Sequence, residues 1–188
     1  MKKRSSGLVK KISFGFLIIV VLFVVIIGST MIWAMNSVIK HTYMEKATMT
    51  AELLIERIDV KKFEQLAANP QENDLYFELQ EQLTHLLELN PITYMYVVVP
   101  PVEGEEAMTL VDGGDLQSDD VYVLGDTMDG VYYDDIIASI NEHGSYSEFE
   151  NTEEFGDLIS SYVPLENESG EIFAILGVDD AFVLLNTI

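Results

Sequence analysis

Few side chains in this sequence have the type and spacing that catalysis or metal binding requires. The histidines, His41, His85 and His143, are far apart and lack the paired or Glu-flanked spacing of metal sites. The absence of cysteine excludes disulfides, thiolate metal sites and cysteine nucleophiles. Ser160-Ser161 lies outside any Gly-x-Ser-x-Gly turn, and no partner base is indicated. We therefore expect no enzyme activity, no catalytic residue, no metal site and no cofactor.

One loop is rich in carboxylates and could in principle hold a cation. Its acidic residues are Asp112, Asp115, Asp119 and Asp120. They lack the alternating ligands, central Gly and terminal Glu of a calcium loop. The pattern favours a solvated acidic loop over a calcium site.

Tyrosines are the other side chains with recognisable chemistry. Tyr94 and Tyr96 alternate onto one face of a predicted strand, Ile92 to Val99. Aromatic faces can line a ligand pocket or attract a cation, but they also fill cores and rims. The sequence alone leaves both readings open.

The elements that position these residues begin with a long apolar run, Phe14 to Trp33, preceded by five of the ten basic residues. About 20 predominantly apolar residues can span a bilayer as a helix, and flanking basic residues favour a cytoplasmic N-terminus. A cleaved signal peptide is the alternative. Its apolar region is usually shorter and ends in small residues, whereas Trp33 suits an interfacial anchor. We predict a single-pass cell-membrane protein whose remainder lies outside the cytoplasm.

The remainder is strongly acidic. From Phe63 to Ile188 there are 28 Asp and Glu residues and no Lys or Arg. Such a field excludes nucleic acid and anionic lipid surfaces as partners. Alternatively, these carboxylates are only solvated surface groups, and their charge then carries no information about a ligand.

Helical patterns follow the membrane segment. The long helix is predicted to run from Asn36 to about Ile58, with an apolar seam at Met44, Ala47, Ala51, Leu54 and Ile58. This seam could pair two copies of the chain as a homodimer, or it could pack on its own domain. Two shorter helices are predicted from Lys61 to Asn69 and from Asn73 to Leu89, each ending before a proline.

The later periodicity is that of strands. A hairpin is predicted from Ile92–Val99 and Ala107–Val111, followed by a loop to Gly130 with one short strand at Val121–Leu124. A helix at Val131–Asn141 precedes three strands at Ser145–Phe149, Leu158–Pro164 and Ile172–Val178. The order predicts an α+β fold with helices on one face of an antiparallel sheet.

The C-terminal part of this order resembles a known family. The segment Ser160 to Asp180, SSYVPLENESGEIFAILGVDD, is similar to the closing strands of Cache (PAS-like) extracytoplasmic sensor domains: a Tyr-x-Pro strand, a polar turn with Gly, and a hydrophobic-Gly-Val-Asp strand. Upstream, Ile92 to Val97 and Leu110 to Gly113 resemble the family's first hairpin. The resemblance covers roughly residues 60–182.

The resemblance implies a sensor of the kind found in chemoreceptors, sensor histidine kinases and diguanylate cyclases. It places a ligand pocket between the sheet and the insertion at about 112–140. The pocket candidates that follow from it are Tyr94, Tyr96, Asp112, Tyr133, Tyr146 and Tyr162. Asp179 matches the family's terminal-strand Asp and is expected to be structural.

Together these observations predict five segments. They are a basic cytoplasmic N-terminus (1–13), a transmembrane helix (14–35), a membrane-proximal helix (36–58), the sensor domain (59–182) and a tail (183–188) expected to lead to a second membrane helix. The predicted function is to bind a small neutral or cationic molecule and relay a change across the membrane. The alternative is a membrane-anchored structural, dimerisation or protein-docking module without a small-molecule ligand.

Overall fold

The computed structural model describes residues 5–99, 106–118, 121–152 and 156–181, with the backbone alone for 5–9, 129–135, 139, 143 and 150–152. The chain divides into two compact units, Met1–Thr42 and Tyr43–Ile188. The element bounds are α1 Ser5–Ile55, α2 Val60–Ala68, α3 Asp74–Leu89, β1 Tyr94–Val99, β2 Glu106–Asp112, β3 Thr127–Tyr132, α4 Tyr133–His143, β4 Tyr146–Thr152, β5 Gly156–Glu166 and β6 Ile172–Ala181.

Helix α1 joins the predicted membrane segment and the predicted long helix without a break. It contains an 18-residue window of mean hydropathy 2.9, so its length and composition allow it to cross a membrane. The apolar side chains from Phe14 to Ile27 are exposed in the first unit, as expected for side chains that face lipid rather than a protein core.

The second unit contains a six-stranded antiparallel sheet in the order β3-β2-β1-β6-β5-β4. The first and last strands, β1 and β6, therefore pair at its centre, from Tyr94↔Asp179 to Val98↔Ile175. The predicted hairpin and the three later strands are confirmed, and so is the α+β class.

Both faces of the sheet are covered by packed side chains. Successive residues of a strand project to opposite faces, and here they belong to two different hydrophobic cores. Met95 and Val97 of β1 belong to a core with residues of α1, α2 and α3, and we call this side the helix face. Tyr96 and Val98 belong to a second core with Ile136 of α4, and we call this side the α4 face. The expectation that all helices lie on one face was wrong for α4, whose own apolar stripe is buried on the opposite side.

The predicted apolar seam is used inside the domain, although α1 ends at Ile55 and Ile58 lies after it. Ala51, Leu54 and Ile58 are buried in the helix-face core. Of the two alternatives for this seam, the structure favours packing on its own domain. A homodimer through the long helix remains a prediction.

Strand β3 was not predicted at Thr127–Tyr132, and the strand predicted at Val121–Leu124 is a loop. Asp129 and Gly130 have low strand propensity, so local sequence gives little signal for β3. Its pairing with β2, through Glu106↔Tyr132 and Met108↔Thr127, is a tertiary interaction. The connection between the two strands of the predicted hairpin, residues 100–105, lies outside the described residues.

Candidate functional site

One row of residues crosses five strands on the α4 face. Its members are opposite one another in the register, Tyr146↔Tyr162, Tyr162↔Gly177, Gly177↔Tyr96 and Tyr96↔Asp112. Directly opposite residues of antiparallel strands project from the same face of a sheet. We call these five residues the tyrosine row. It brings together four of the six pocket residues predicted from the sequence.

Gly177 makes the middle of this row possible. The Tyr96 ring lies over Gly177 so closely that a Cβ at position 177 would overlap its atoms. Tyr96 thereby reaches across β6, where its hydroxyl donates a hydrogen bond of 3.4 Å to Asp179 Oδ1. Any side chain at 177 would displace this ring from the strand.

Tyr146 and Tyr162 form the other half of the row. Their ring centroids lie 5.4 Å apart and the ring planes are inclined by 37°, a spacing within the favourable range for aromatic pairs. Tyr162 is only 1% exposed, whereas Tyr146 is half-buried and packs at the margin of the α4-face core. The pair therefore connects the core with the accessible edge of this face.

A second row lies two residues further along each strand on the same face. It consists of Tyr94, Asp179, Ser160 and Glu148, which are successive partners in the register. Asp179 is 6% exposed. The Ser160 hydroxyl is fully buried and has no hydrogen-bond partner in the described part of the chain. A buried hydroxyl without a partner is costly, so a water molecule or a ligand bound here would stabilise it.

Asp112, at the end of the tyrosine row, fixes the following loop. Its Oδ1 accepts the backbone N–H of Gly114 at 2.8 Å and its Oδ2 accepts that of Tyr122 at 3.2 Å. Burial raises the pKa of the Asp112 carboxyl, while these two N–H groups oppose the rise. The side chain is nearly inaccessible, and its two hydrogen bonds to backbone N–H groups are those of a residue that holds the loop in place.

Tyr133, the sixth predicted pocket residue, opens helix α4. Its side chain lies outside the described residues. The helix itself packs on the α4 face through the buried side chains of Ile136 and Ile140, with Tyr94 and Tyr146 at the edge of the same cluster.

Two cavities of the second unit lie away from the tyrosine row. An open groove of about 970 Å³ runs between α3 and the loop after β2, and its lining includes Glu81, His85, Glu88 and Asp115. Sequence reasoning missed this groove, although the 4- and 3-residue spacing of its α3 side chains placed them on one helix face. Within the described residues, no group of three potential ligands is arranged to hold a metal ion.

The second cavity, of about 50 Å³, lies between α1 and the helix face of the sheet. Ala47 and Thr50 of α1 line it together with Ile159 and Val178 of the strands. It is about large enough for a single water molecule or two. The packing of α1 against β5 and β6 is therefore incomplete at this point.

Comparisons with known proteins find similarity among solved structures alone. No family model matches the chain, and no curated protein matches it. Among solved structures it is similar to the periplasmic sensory domain of the Campylobacter jejuni chemoreceptor Tlp1, at 14% sequence identity and a TM-score of 0.32. The match covers 75% of this chain and 59% of that one, so the chain spans less than two thirds of that domain's length. At this score the likeness assigns neither a family nor a function.

Proposed function

We propose that this chain contains the extracytoplasmic sensor domain of a membrane-anchored signalling receptor, and that it binds a small neutral or cationic molecule on the α4 face. The observation that carries this proposal is the tyrosine row with the adjacent Asp179 and Ser160. Together they place aromatic faces, a buried carboxylate and a hydroxyl without a partner on one side of one sheet. A few convergent polar groups in an apolar, aromatic surrounding are typical of small-molecule sites.

The charge distribution supports a neutral or cationic ligand. No Lys or Arg follows Lys62, so the sheet offers no guanidinium for the bidentate binding of a carboxylate. The last two basic residues, Lys61 and Lys62, form ion pairs with Glu168 and Glu78. An anion would also meet the repulsive field of the acidic domain. A cation faces no such barrier, and each tyrosine ring could contribute on the order of 0.5–2 kcal/mol through a cation–π contact.

The resemblance to Cache domains supports the same proposal. The upstream segments that carry the resemblance lie in β1 and at the end of β2. The C-terminal segment forms β5, a turn and β6. Asn167 closes that turn, since its Oδ1 accepts the N–H groups of Ser169 and Glu171. A cytoplasmic N-terminus and passage of a signal along α1 complete the proposed receptor.

A structural or protein-docking module is the second candidate, because part of the predicted pocket is core. Tyr96 and Tyr162 are 3% and 1% exposed, and the open groove and the small cavity beside α1 are lined by other residues. Under this alternative the tyrosines stabilise the sheet, and no small molecule binds them.

A thermal-shift experiment separates the two candidates. The full chain in detergent micelles is heated at fixed ionic strength with tetramethylammonium, ethanolamine, glycerol or succinate. Sensing of a neutral or cationic ligand predicts saturable stabilisation by at least one of the first three and none by succinate, because a ligand that binds only the folded state raises the melting temperature. Saturable stabilisation by succinate alone contradicts the charge argument, and no response to a wider panel of amines and neutral solutes favours the structural module.

A matched pair of variants locates the site. Tyr146→Leu removes a half-buried ring of the tyrosine row, whereas Tyr43→Leu removes an exposed ring on α1. The proposal expects the first variant to weaken the stabilisation by the active compound at least fivefold in concentration and the second to leave it unchanged. Equal effects of the two variants would place binding elsewhere.

A further inference from the structure

Three hydroxyl groups connect α1 to the β4–β5 hairpin on the helix face. Thr48 Oγ1 lies 2.6 Å from Ser147 Oγ, and Ser147 Oγ lies 2.7 Å from Ser161 Oγ. Thr48 Oγ1 also donates to the carbonyl oxygen of Met44 at 3.1 Å, one turn earlier in α1. We call these three residues the hydroxyl chain.

The direction of the hydroxyl chain follows from proton counting. Each hydroxyl has one proton to donate. Thr48 donates its proton to Met44, so it must accept from Ser147. Ser147 has then used its own proton and must accept from Ser161. The three donations therefore run in one direction, from β5 through β4 to α1, and such aligned hydrogen bonds polarise and strengthen one another.

The same hairpin carries the tyrosine pair on its other face. Ser147 follows Tyr146 and Ser161 precedes Tyr162, so serines and tyrosines project from opposite sides of the paired strands. The two strands are joined over seven residue pairs, from Tyr146↔Tyr162 to Thr152↔Gly156. A shift of the strand backbone at the tyrosine pair would therefore also shift the adjacent serine pair on the other face.

Near Thr48, the hydroxyl chain is a specific polar contact between α1 and the sheet. The cavity of about 50 Å³, lined by Ala47 and Thr50, lies beside it. Firm apolar packing of the helix begins one turn later, where Ala51 and Leu54 enter the helix-face core. Residues 44–50 of α1 thus lie outside the buried core, and the hydroxyl chain ties them to the hairpin.

We propose that the hydroxyl chain transmits a change at the Tyr146–Tyr162 pair to residues 44–50 of α1. Its three members are positioning residues, and none of them touches the proposed ligand site. The assignment of this movement to signalling rests on the proposed sensor function. The mechanical coupling itself does not, because it depends only on the contacts between hairpin and helix.

Hydrogen exchange of the full chain tests the coupling without any ligand. Tyr146→Leu serves as the perturbation, because it removes one ring of the pair. In the otherwise unchanged chain we expect it to speed exchange of the α1 amides at residues 47–52 at least threefold. In a Thr48→Val background the same perturbation should change these amides by less than 1.5-fold. Thr48→Ser, which retains the hydroxyl, should restore the response.

Thr50→Val is the matched control background. Thr50 lies on the same helix, but its hydroxyl bonds to the carbonyl of Lys46 within α1. The response to Tyr146→Leu should persist there. An equal response in the Thr48→Val and Thr50→Val backgrounds, or no response of α1 in the unchanged chain, would overturn the coupling. The thermal-shift result is independent of this outcome, so failure of the coupling and failure of the proposed function are distinguishable.

Discussion

The ring of Tyr96 occupies the space that a side chain at Gly177 would require. The two residues are opposite each other on β1 and β6, the central pair of the sheet. Glycine inside a strand normally weakens it, because it has high conformational freedom and no side chain to pack. Here the missing side chain of Gly177 leaves space for the ring of Tyr96. The hydroxyl of Tyr96 can therefore reach Asp179, which is on the same strand as Gly177.

The first prediction follows from this contact. Gly177→Ala should lower the free energy of unfolding by about 1–3 kcal/mol, as expected for overpacking of a filled core. Strand propensity alone would predict that Gly177→Ala raises the free energy of unfolding. Urea denaturation, followed by tyrosine fluorescence, measures the change. In a Tyr96→Ala background the same substitution should be neutral or stabilising, and an undiminished loss there would show that the Tyr96 ring is not its cause.

The second prediction concerns pH and Asp112. Burial raises the pKa of its carboxyl in the folded state, so the folded protein binds more protons than the unfolded chain above the ordinary Asp pKa. The contribution of Asp112 to the free energy of unfolding is therefore most favourable at low pH. It is lost as the pH rises through the folded-state pKa. Burial also raises the pKa of the Asp180 carboxyl, so Asp180 contributes to the pH dependence of stability in the same direction.

Urea midpoints between pH 4 and pH 8 measure this dependence. We expect the stability of the full chain to fall as pH rises, and Asp112→Asn to give a shallower slope. Asp115→Asn is the matched control, because it removes the same formal charge at an exposed position and should keep most of the slope. Equal slopes in the two variants would assign the pH effect to general repulsion among the carboxylates instead.

The third prediction separates two neighbouring leucines of α1. Leu54 is 2% exposed within the helix-face core, whereas Leu53 is 61% exposed. Leu54→Ala should lower the free energy of unfolding by about 2–5 kcal/mol, because it leaves a cavity in a packed core. Leu53→Ala should change it by less than about 0.5 kcal/mol. Thermal unfolding of the two variants checks this, and similar losses would mean that α1 does not pack through its Leu54 side.

The elements that sequence periodicity predicted well are those whose own residues determine them. Helix α3 lies within one residue of its predicted start, because Asn73 caps it by accepting the N–H groups of Leu75 and Tyr76. The turn before β6 depends on the Asn167 side chain, and the chain leaves α4 at Gly144, where φ is +72°, so both have their signal in local sequence. In each case the signal lies within a few residues of the structure that it forms.

What could not be predicted depends on pairing between distant segments. The tyrosine row exists only because β1 pairs with β6 in a register that places Tyr96 opposite Gly177, 81 residues later in the chain. No local pattern specifies this register. The same holds for the hydroxyl chain, in which Thr48 and Ser147 are 99 residues apart. The individual tyrosines were identifiable from the sequence, but their alignment in one row was not.

The last prediction concerns the orientation of α1 in the membrane. Five basic residues precede the apolar run, and no Lys or Arg follows Lys62, an asymmetry that favours a cytoplasmic N-terminus and an extracytoplasmic sheet domain. The chain contains no cysteine, so a single introduced cysteine reports its own side of the membrane. Glu81→Cys marks an exposed position of α3, and Ser6→Cys lies among the basic residues and leaves all five in place. A membrane-impermeant maleimide should label Glu81→Cys in intact cells from which any outer barrier has been removed, and Ser6→Cys only after the membrane is permeabilised. Labelling in the reverse order would show that the acidic domain faces the cytoplasm, and an extracytoplasmic sensor would then be excluded.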